Sequence, residues 1–245
     1  MKRFSPVCVV VAGLWVGACG GSSSPTTPTT TATLSITPPN TTVLVIGQAQ
    51  PYAVANGKTD AIVTWTSSDP GVLTIDSTGN ATAIAMGIIT ITASTDDGQT
   101  ATLQVQVVPN YQGTWTGNVT NTACTDIAGF ASINYCSRGL AIPQPLTLNL
   151  AQSGVTISGT MTKSETGGSV SGTVTGVIGT GGDVTLTGTL NGVGNGANLT
   201  VTLLSWDSLA TNARMTGIGS ANVTSQQILG IATVQWSLAG VTLTP

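Results

Sequence analysis

The chain has 245 residues, of which 6 % are charged, 40 % are hydrophobic and none is histidine. Without histidine no Ser-His-Asp or Cys-His nucleophile and no His-ligated metal site can be assembled. The single glutamate, Glu165, excludes paired-Glu acid–base chemistry, and six Lys and Arg residues are too few for a nucleic-acid footprint. The apolar content is enough to build cores. Its Val, Ile and Leu are spaced among Thr, a pattern that suits pleated strands.

The chain opens with an address. Lys2 and Arg3 precede an apolar run, Val7 to Ala18, which has signal-peptide length and falls short of the ~20 residues a bilayer needs. It ends in Val16-Gly17-Ala18-Cys19, which resembles the lipobox of bacterial lipoproteins. The resemblance implies that residues 1–18 are a signal peptide, cut before Cys19, and that Cys19 carries lipid on its sulfur and its new amine. Several acyl chains hold a protein on a membrane where one does not. Gly20 stands where an Asp would resemble an inner-membrane retention signal, so the outer membrane is expected. Residues 19–33, rich in Gly, Ser, Thr and Pro, read as a flexible tether.

Residues 34–108 alternate short apolar segments with turn signals: Pro38-Pro39-Asn40, Asn56-Gly57, Asp69-Pro70-Gly71, Thr78-Gly79-Asn80 and Asp97-Gly98. Asp97-Gly98 between two alternating runs predicts a hairpin. Six or seven short strands over this length point to a β-sandwich. The run from Thr64 to Ala83, with Trp65, Ser67, Ser68, Asp69, Val72, Ile75, Asp76 and Gly79, resembles the centre of a bacterial immunoglobulin-like group 2 domain. That family serves often as a stalk or spacer. Trp65 is expected to pack between the sheets, and Ser67 to Asp69 to bond turn amides.

Residues 110–245 carry eight candidate strands, at roughly 113–122, 144–152, 155–163, 168–178, 183–191, 197–206, 212–222 and 227–238. Val155, Ile157, Gly159 and Met161 share one face of a strand, while Thr156, Ser158, Thr160 and Thr162 share the other. Ile228, Gly230, Ala232, Val234, Trp236 and Leu238 repeat the alternation. Consecutive hairpins with one apolar face close most commonly into an up-and-down barrel, with a second sandwich as the rival. The opening Gly113-Thr114-Trp115 resembles the first strand of calycin barrels, lipocalins and avidins among them. In those families the Trp plugs one end, and in lipocalins a last-strand Arg often stacks on it. Here Arg214 falls on the seventh strand, a departure from that pattern. A membrane-spanning barrel fits poorly, because the unit lacks aromatic girdles. The fold class is therefore all-β: an Ig-like sandwich followed by an antiparallel barrel of about eight strands.

Cys124 and Cys136, an exported pair in the long loop after the first barrel strand, read as a disulfide. The loop between them lies either across the barrel mouth as a lid or on the surface as an Ω-like loop. Lys163 and Glu165 sit at a hairpin end, where charged side chains are expected to be solvated.

Two functional readings follow. In one, a lipid-anchored spacer presents a small barrel that binds a small apolar ligand or a surface protein or glycan. Phe130, Tyr135, Trp206, Arg214 and Trp236 are its candidate contact residues. In the other, both units are passive structural or adhesive elements. No enzyme activity, cofactor or metal is expected, and no nucleic-acid partner.

Overall fold

A computed structural model describes residues 33–38, 40–211 and 213–244. The proposed signal peptide, Cys19 and nearly all of the tether lie outside the described residues. Among the described residues no helix is long and apolar enough to cross a membrane.

The first part is built from nine short strands: β1 (Ser35–Thr37), β2 (Val43–Val45), β3 (Ala49–Pro51), β4 (Ala53–Ala55), β5 (Val63–Ser67), β6 (Leu73–Ile75), β7 (Asn80–Ala83), β8 (Gly87–Thr95) and β9 (Thr100–Val108). They form a four-stranded sheet in the order β2-β9-β8-β5, a three-stranded sheet β3-β7-β6 and a β1-β4 pair. β2 runs parallel to β9, while β8 and β9 pair antiparallel across Asp97-Gly98, where Gly98 takes φ +87°. Leu44, Tyr52, Leu73, Ile89, Ile91 and Val105 make its core. Trp65 is half-buried against that core. Gly79 lies beneath its ring, where a Cβ would come within 3.1 Å of the indole. Ser67 and Asp69 accept from the amides of Asp69 and Gly71, as expected of turn residues.

The second part is a closed antiparallel barrel of eight strands in sequence order. They are β10 (Gly113–Asp126), β11 (Pro143–Ser153), β12 (Thr156–Glu165), β13 (Gly168–Ile178), β14 (Val184–Gly194), β15 (Ala197–Thr211), β16 (Arg214–Thr224) and β17 (Ala232–Thr244). β17 closes the barrel on β10, with Val119 opposite Leu238 and Asn121 opposite Trp236. Two short helices, α1 (Gly129–Ser132) and α2 (Tyr135–Gly139), lie between β10 and β11.

The alternation dictates the facing. On β12 Ile157 and Met161 are buried while Thr156, Ser158, Thr160 and Thr162 are exposed. β13 and β14 repeat this, with Val170, Val174, Leu186 and Leu190 inside and Ser171, Thr173, Thr187 and Thr189 outside. Eight strands enclose a space that side chains can just fill. Trp115, Leu148, Ile157, Met161, Trp206 and Trp236 are each under 2 % exposed and belong to one continuous core. Gly219 shows how tightly it packs: a Cβ there would stand 2.1 Å from Trp236 Nε1.

Several strands run past the ends expected from sequence: β10 continues to Asp126, which puts Cys124 on the strand and not in the loop after it, β12 to Glu165 and β15 to Thr211. The largest difference is in the last strand, which begins at Ala232 and runs to Thr244, whereas 227–238 was expected. The reason lies at Gly230, which takes φ +112° and would place a Cβ 2.3 Å from the Ile127 carbonyl. The chain there turns to pack on the base of the α1–α2 loop, with Gly129 N–H bonded to Leu229 O at 2.7 Å.

Candidate functional site at the capped end of the barrel

Inward positions recur every second residue along each strand. On β12 that register continues from Ile157, Gly159 and Met161 to Lys163 and Glu165. Both charged side chains therefore point into the barrel, where they are 3 % and 5 % exposed. This corrects the expectation that they are solvated at a hairpin end: β12 extends to Glu165 before it turns. Lys163 pairs with Leu146 on β11, so Gln144 is its diagonal inward neighbour. Lys163 Nζ donates to Glu165 Oε1 at 2.7 Å and to Gln144 Oε1. It stands 5.8 Å from the centre of the Trp236 ring, a cation–π arrangement.

The α1–α2 loop closes this end. Phe130 and Tyr135 are buried in the barrel core and meet edge to face, with centroids 5.5 Å apart. The loop is therefore a lid by geometry. Cys124 and Cys136 form the disulfide that staples it, with Cα atoms 5.4 Å apart, and Cys136 N–H donates to Asp126 Oδ2 at 3.1 Å. The Tyr135 hydroxyl donates to Glu165 Oε2 at 3.5 Å. Burial, and then the Glu165 carboxylate beside it, push that hydroxyl far above the ordinary phenol range. Asn121 is also buried, and its Oδ1 has no hydrogen-bond partner among the described residues.

The candidate residues chosen from sequence divide accordingly. Phe130, Tyr135 and Trp236 converge on this end, and Trp206 joins Trp236 at 6.1 Å between ring centres. All four are core residues with no open face. Arg214 lies apart from them, exposed in the hairpin between β15 and β16 at the opposite end of the barrel. Cys19 is outside the described residues. Lys163, Glu165, Gln144 and Asn121 were not singled out as site residues. The signal that finds Lys163 and Glu165 is parity, since both share the odd-numbered face with Ile157 and Met161.

The opposite end is closed differently. Trp115 is fully buried, and its indole N–H donates to Tyr111 O at 2.8 Å. The Tyr111 hydroxyl lies 2.8 Å from Gly182 O and 3.0 Å from Ser208 O, and accepts from Ala210 N–H at 3.1 Å. An open, mostly apolar groove of about 370 Å³ lies beside this end, lined by Ile46, Ile84, Met86, Pro109 and Ala210 among others. Among the described residues no group of three or more His, Cys, Asp or Glu side chains comes together. What the capped end does bring together is one amine, one carboxyl and the two carboxamides of Gln144 and Asn121, within an apolar wall.

Residues 30–107 match the model of the bacterial Ig-like domain (group 2). A lacto-N-biosidase of Bifidobacterium bifidum is 42 % identical over 59 residues, which is 24 % of this chain and 5 % of that enzyme. The chain thus spans only a small fraction of that curated relative. Residues 30–107 carry a bacterial Ig-like domain of group 2, and a closed eight-stranded antiparallel barrel follows it.

Proposed function

We propose that the chain is a lipid-anchored, non-catalytic protein of the bacterial envelope, in which the Ig-like domain carries a solid barrel that meets a surface protein or glycan through its outside. The observation that carries this reading is the packing of the barrel. Its axis is occupied by Trp115, Trp206, Trp236 and the aliphatic side chains around them, and aromatic side chains close both ends. A small apolar ligand inside would have to displace that core. The outer face, in contrast, is an ordered array of Thr, Ser and Asn side chains. Hydrogen-bonded pairs cross its strands, such as Thr185 with Asp207 at 2.8 Å and Thr200 with Asn191 at 2.9 Å. Such a surface offers hydroxyl and amide groups to a polar partner while staying soluble with little charge.

The Gly113-x-Trp115 opening and the up-and-down strand order support a calycin-like reading of the barrel. The lipobox-like Val16-Gly17-Ala18-Cys19 supports anchoring, with outer-membrane residence favoured by Gly20. The passive structural or adhesive alternative shares this architecture and differs only in needing no partner.

Palmitate labelling tests the anchor. Label is expected on the wild-type protein and not on Cys19→Ser, which should leave the membrane fraction; an unlabelled wild type overturns the anchor. Native mass spectrometry of protein extracted from membranes tests the solid barrel. The expected result is a barrel free of any bound apolar molecule. A stoichiometric apolar ligand that persists after removal of the N-terminal lipid would overturn it.

A further inference from the structure

We propose that Lys163 and Gln144 become joined by an amide bond inside the folded barrel, with Glu165 acting as the acid–base group. The three side chains come from adjacent inward positions of β11 and β12. Lys163 Nζ contacts the Gln144 carboxamide, 19 residues away in sequence, and Glu165 Oε1 at 2.7 Å. Nucleophile, electrophile and proton carrier are thus held together by the barrel register, and such positioning replaces a bimolecular encounter. Lys163 is 3 % exposed and Gln144 6 %. Trp236 flanks the amine, and the stapled loop with Phe130 and Tyr135 covers the end. Water that would hydrolyse an activated carboxamide is kept out.

The step balances without any added reagent. The Lys163 ammonium gives a proton to the Glu165 carboxylate, leaving a neutral amine and a carboxylic acid. The amine attacks Gln144 Cδ, and the C=O π bond opens. Glu165 relays a proton from the attacking nitrogen to Nε2, as a general acid–base does. The C–Nε2 bond breaks, ammonia leaves, and the new amide joins Nζ to Cδ. Glu165 remains as the neutral acid. Two buried charges are consumed, which removes the desolvation penalty that a buried ion pair carries. The Tyr135 hydroxyl beside Glu165 offers the remaining acid a hydrogen-bond partner. The product ties β11 to β12 beneath the lid. It secures the capped end by a bond that reduction of Cys124–Cys136 cannot open.

Trypsin reads this directly on the full chain, because it cuts after Lys and Arg and does not cut after an acylated lysine. The relevant sites are Arg138, Lys163 and Arg214. After reduction, denaturation and digestion, the expected product is one fragment, 139–214. It should be uncut at Lys163 and lighter than its sequence by one ammonia, with no backbone fragment ions from between Gln144 and Lys163. Separate fragments 139–163 and 164–214 at their full sequence masses would overturn the proposal, as would an ammonia loss placed at Gln152 or Asn149. In Glu165→Gln, with the barrel folded by near-UV circular dichroism, cleavage at Lys163 and full mass are expected. An ammonia-deficient 139–214 in that variant would overturn the role of Glu165. The wild-type digest decides the bond itself whether or not the variant folds.

Discussion

The two ends of the barrel are closed by different chemistry. At the end nearer the Ig-like domain, Tyr111 and Trp115 are neutral aromatics whose polar atoms meet backbone groups of the chain itself. At the other end a disulfide-stapled loop lays Phe130 and Tyr135 over a buried amine, carboxylate and carboxamide. The first arrangement closes the core at little electrostatic cost. The second takes two charges out of water, which a pair of packed apolar side chains would avoid. Closing the barrel does not by itself call for Lys163 and Glu165, so their presence points to chemistry at that end rather than to packing.

The sharpest way to break the contrast is to strip the charged end of one partner. In a Gln144→Leu background, where no amide can form and Lys163 and Glu165 stay an ion pair, Glu165→Ala leaves Lys163 buried without its carboxylate and should cost about 3–5 kcal/mol, read as a shift of the denaturant midpoint. In the same background, Lys163→Met together with Glu165→Leu should recover most of that loss. If Glu165→Ala cost less than about 1 kcal/mol, the end would be open to water, as an exposed pair is.

Next comes the staple. Replacing Cys124 and Cys136 by Ser should lower stability by about 3 kcal/mol in the chain-entropy account. Amide hydrogen exchange should rise in the α1–α2 loop and stay unchanged around Tyr111 and Trp115. Exchange rising equally at both ends would erase the distinction between them.

At the neutral end, Tyr111→Phe removes the acceptor of Ala210 N–H and the one hydroxyl proton that lies between Gly182 O and Ser208 O. The expected loss is about 1–3 kcal/mol, and thermal unfolding would show it.

The smallest effect is in pH. Burial pushes the Tyr111 hydroxyl up to about 12, above the ordinary phenol value near 10 of an unfolded chain. A raised folded value means that the folded state keeps its proton longer. The stabilisation is fully present below about pH 10 and is lost as pH rises toward about 12. Tyr135 shifts in the same direction through burial and Glu165. The melting temperature of the wild type should therefore fall across that window, and Tyr111→Phe should fall less steeply. Equal slopes would contradict the burial of that hydroxyl.

Much of this architecture is written in the alternation of apolar residues with Thr. On β13 and β14, and on β12 as far as Met161, every second residue is apolar or Gly, and the strands and their inward faces follow from that period. The Asp97-Gly98 hairpin and the Cys124–Cys136 link are equally local, being set by turn chemistry and by spacing. Two features were less legible. The start of β17 depends on Gly230 meeting Ile127, a contact between distant parts of the chain that an alternating pattern from Ile228 onward does not reveal. The charged cluster was hidden by a sound generalisation, that charges at hairpin ends are solvated. It fails here because β12 continues to Glu165 and because a loop from between β10 and β11 folds back over it. The inward phase of Lys163 and Glu165 could be counted from Met161. The lid that makes their burial complete is a tertiary fact.

Lysine acylation tests the central claim, a water-excluded charged cluster under a lid, most directly. Native, oxidised Gln144→Leu protein, in which no Lys163–Gln144 amide can form and the Lys163 amine stays free, should be modified by an amine-reactive ester at the exposed Lys58 and not at Lys163. Modification of Lys163 at a rate like that of Lys58 in the folded protein would contradict the account.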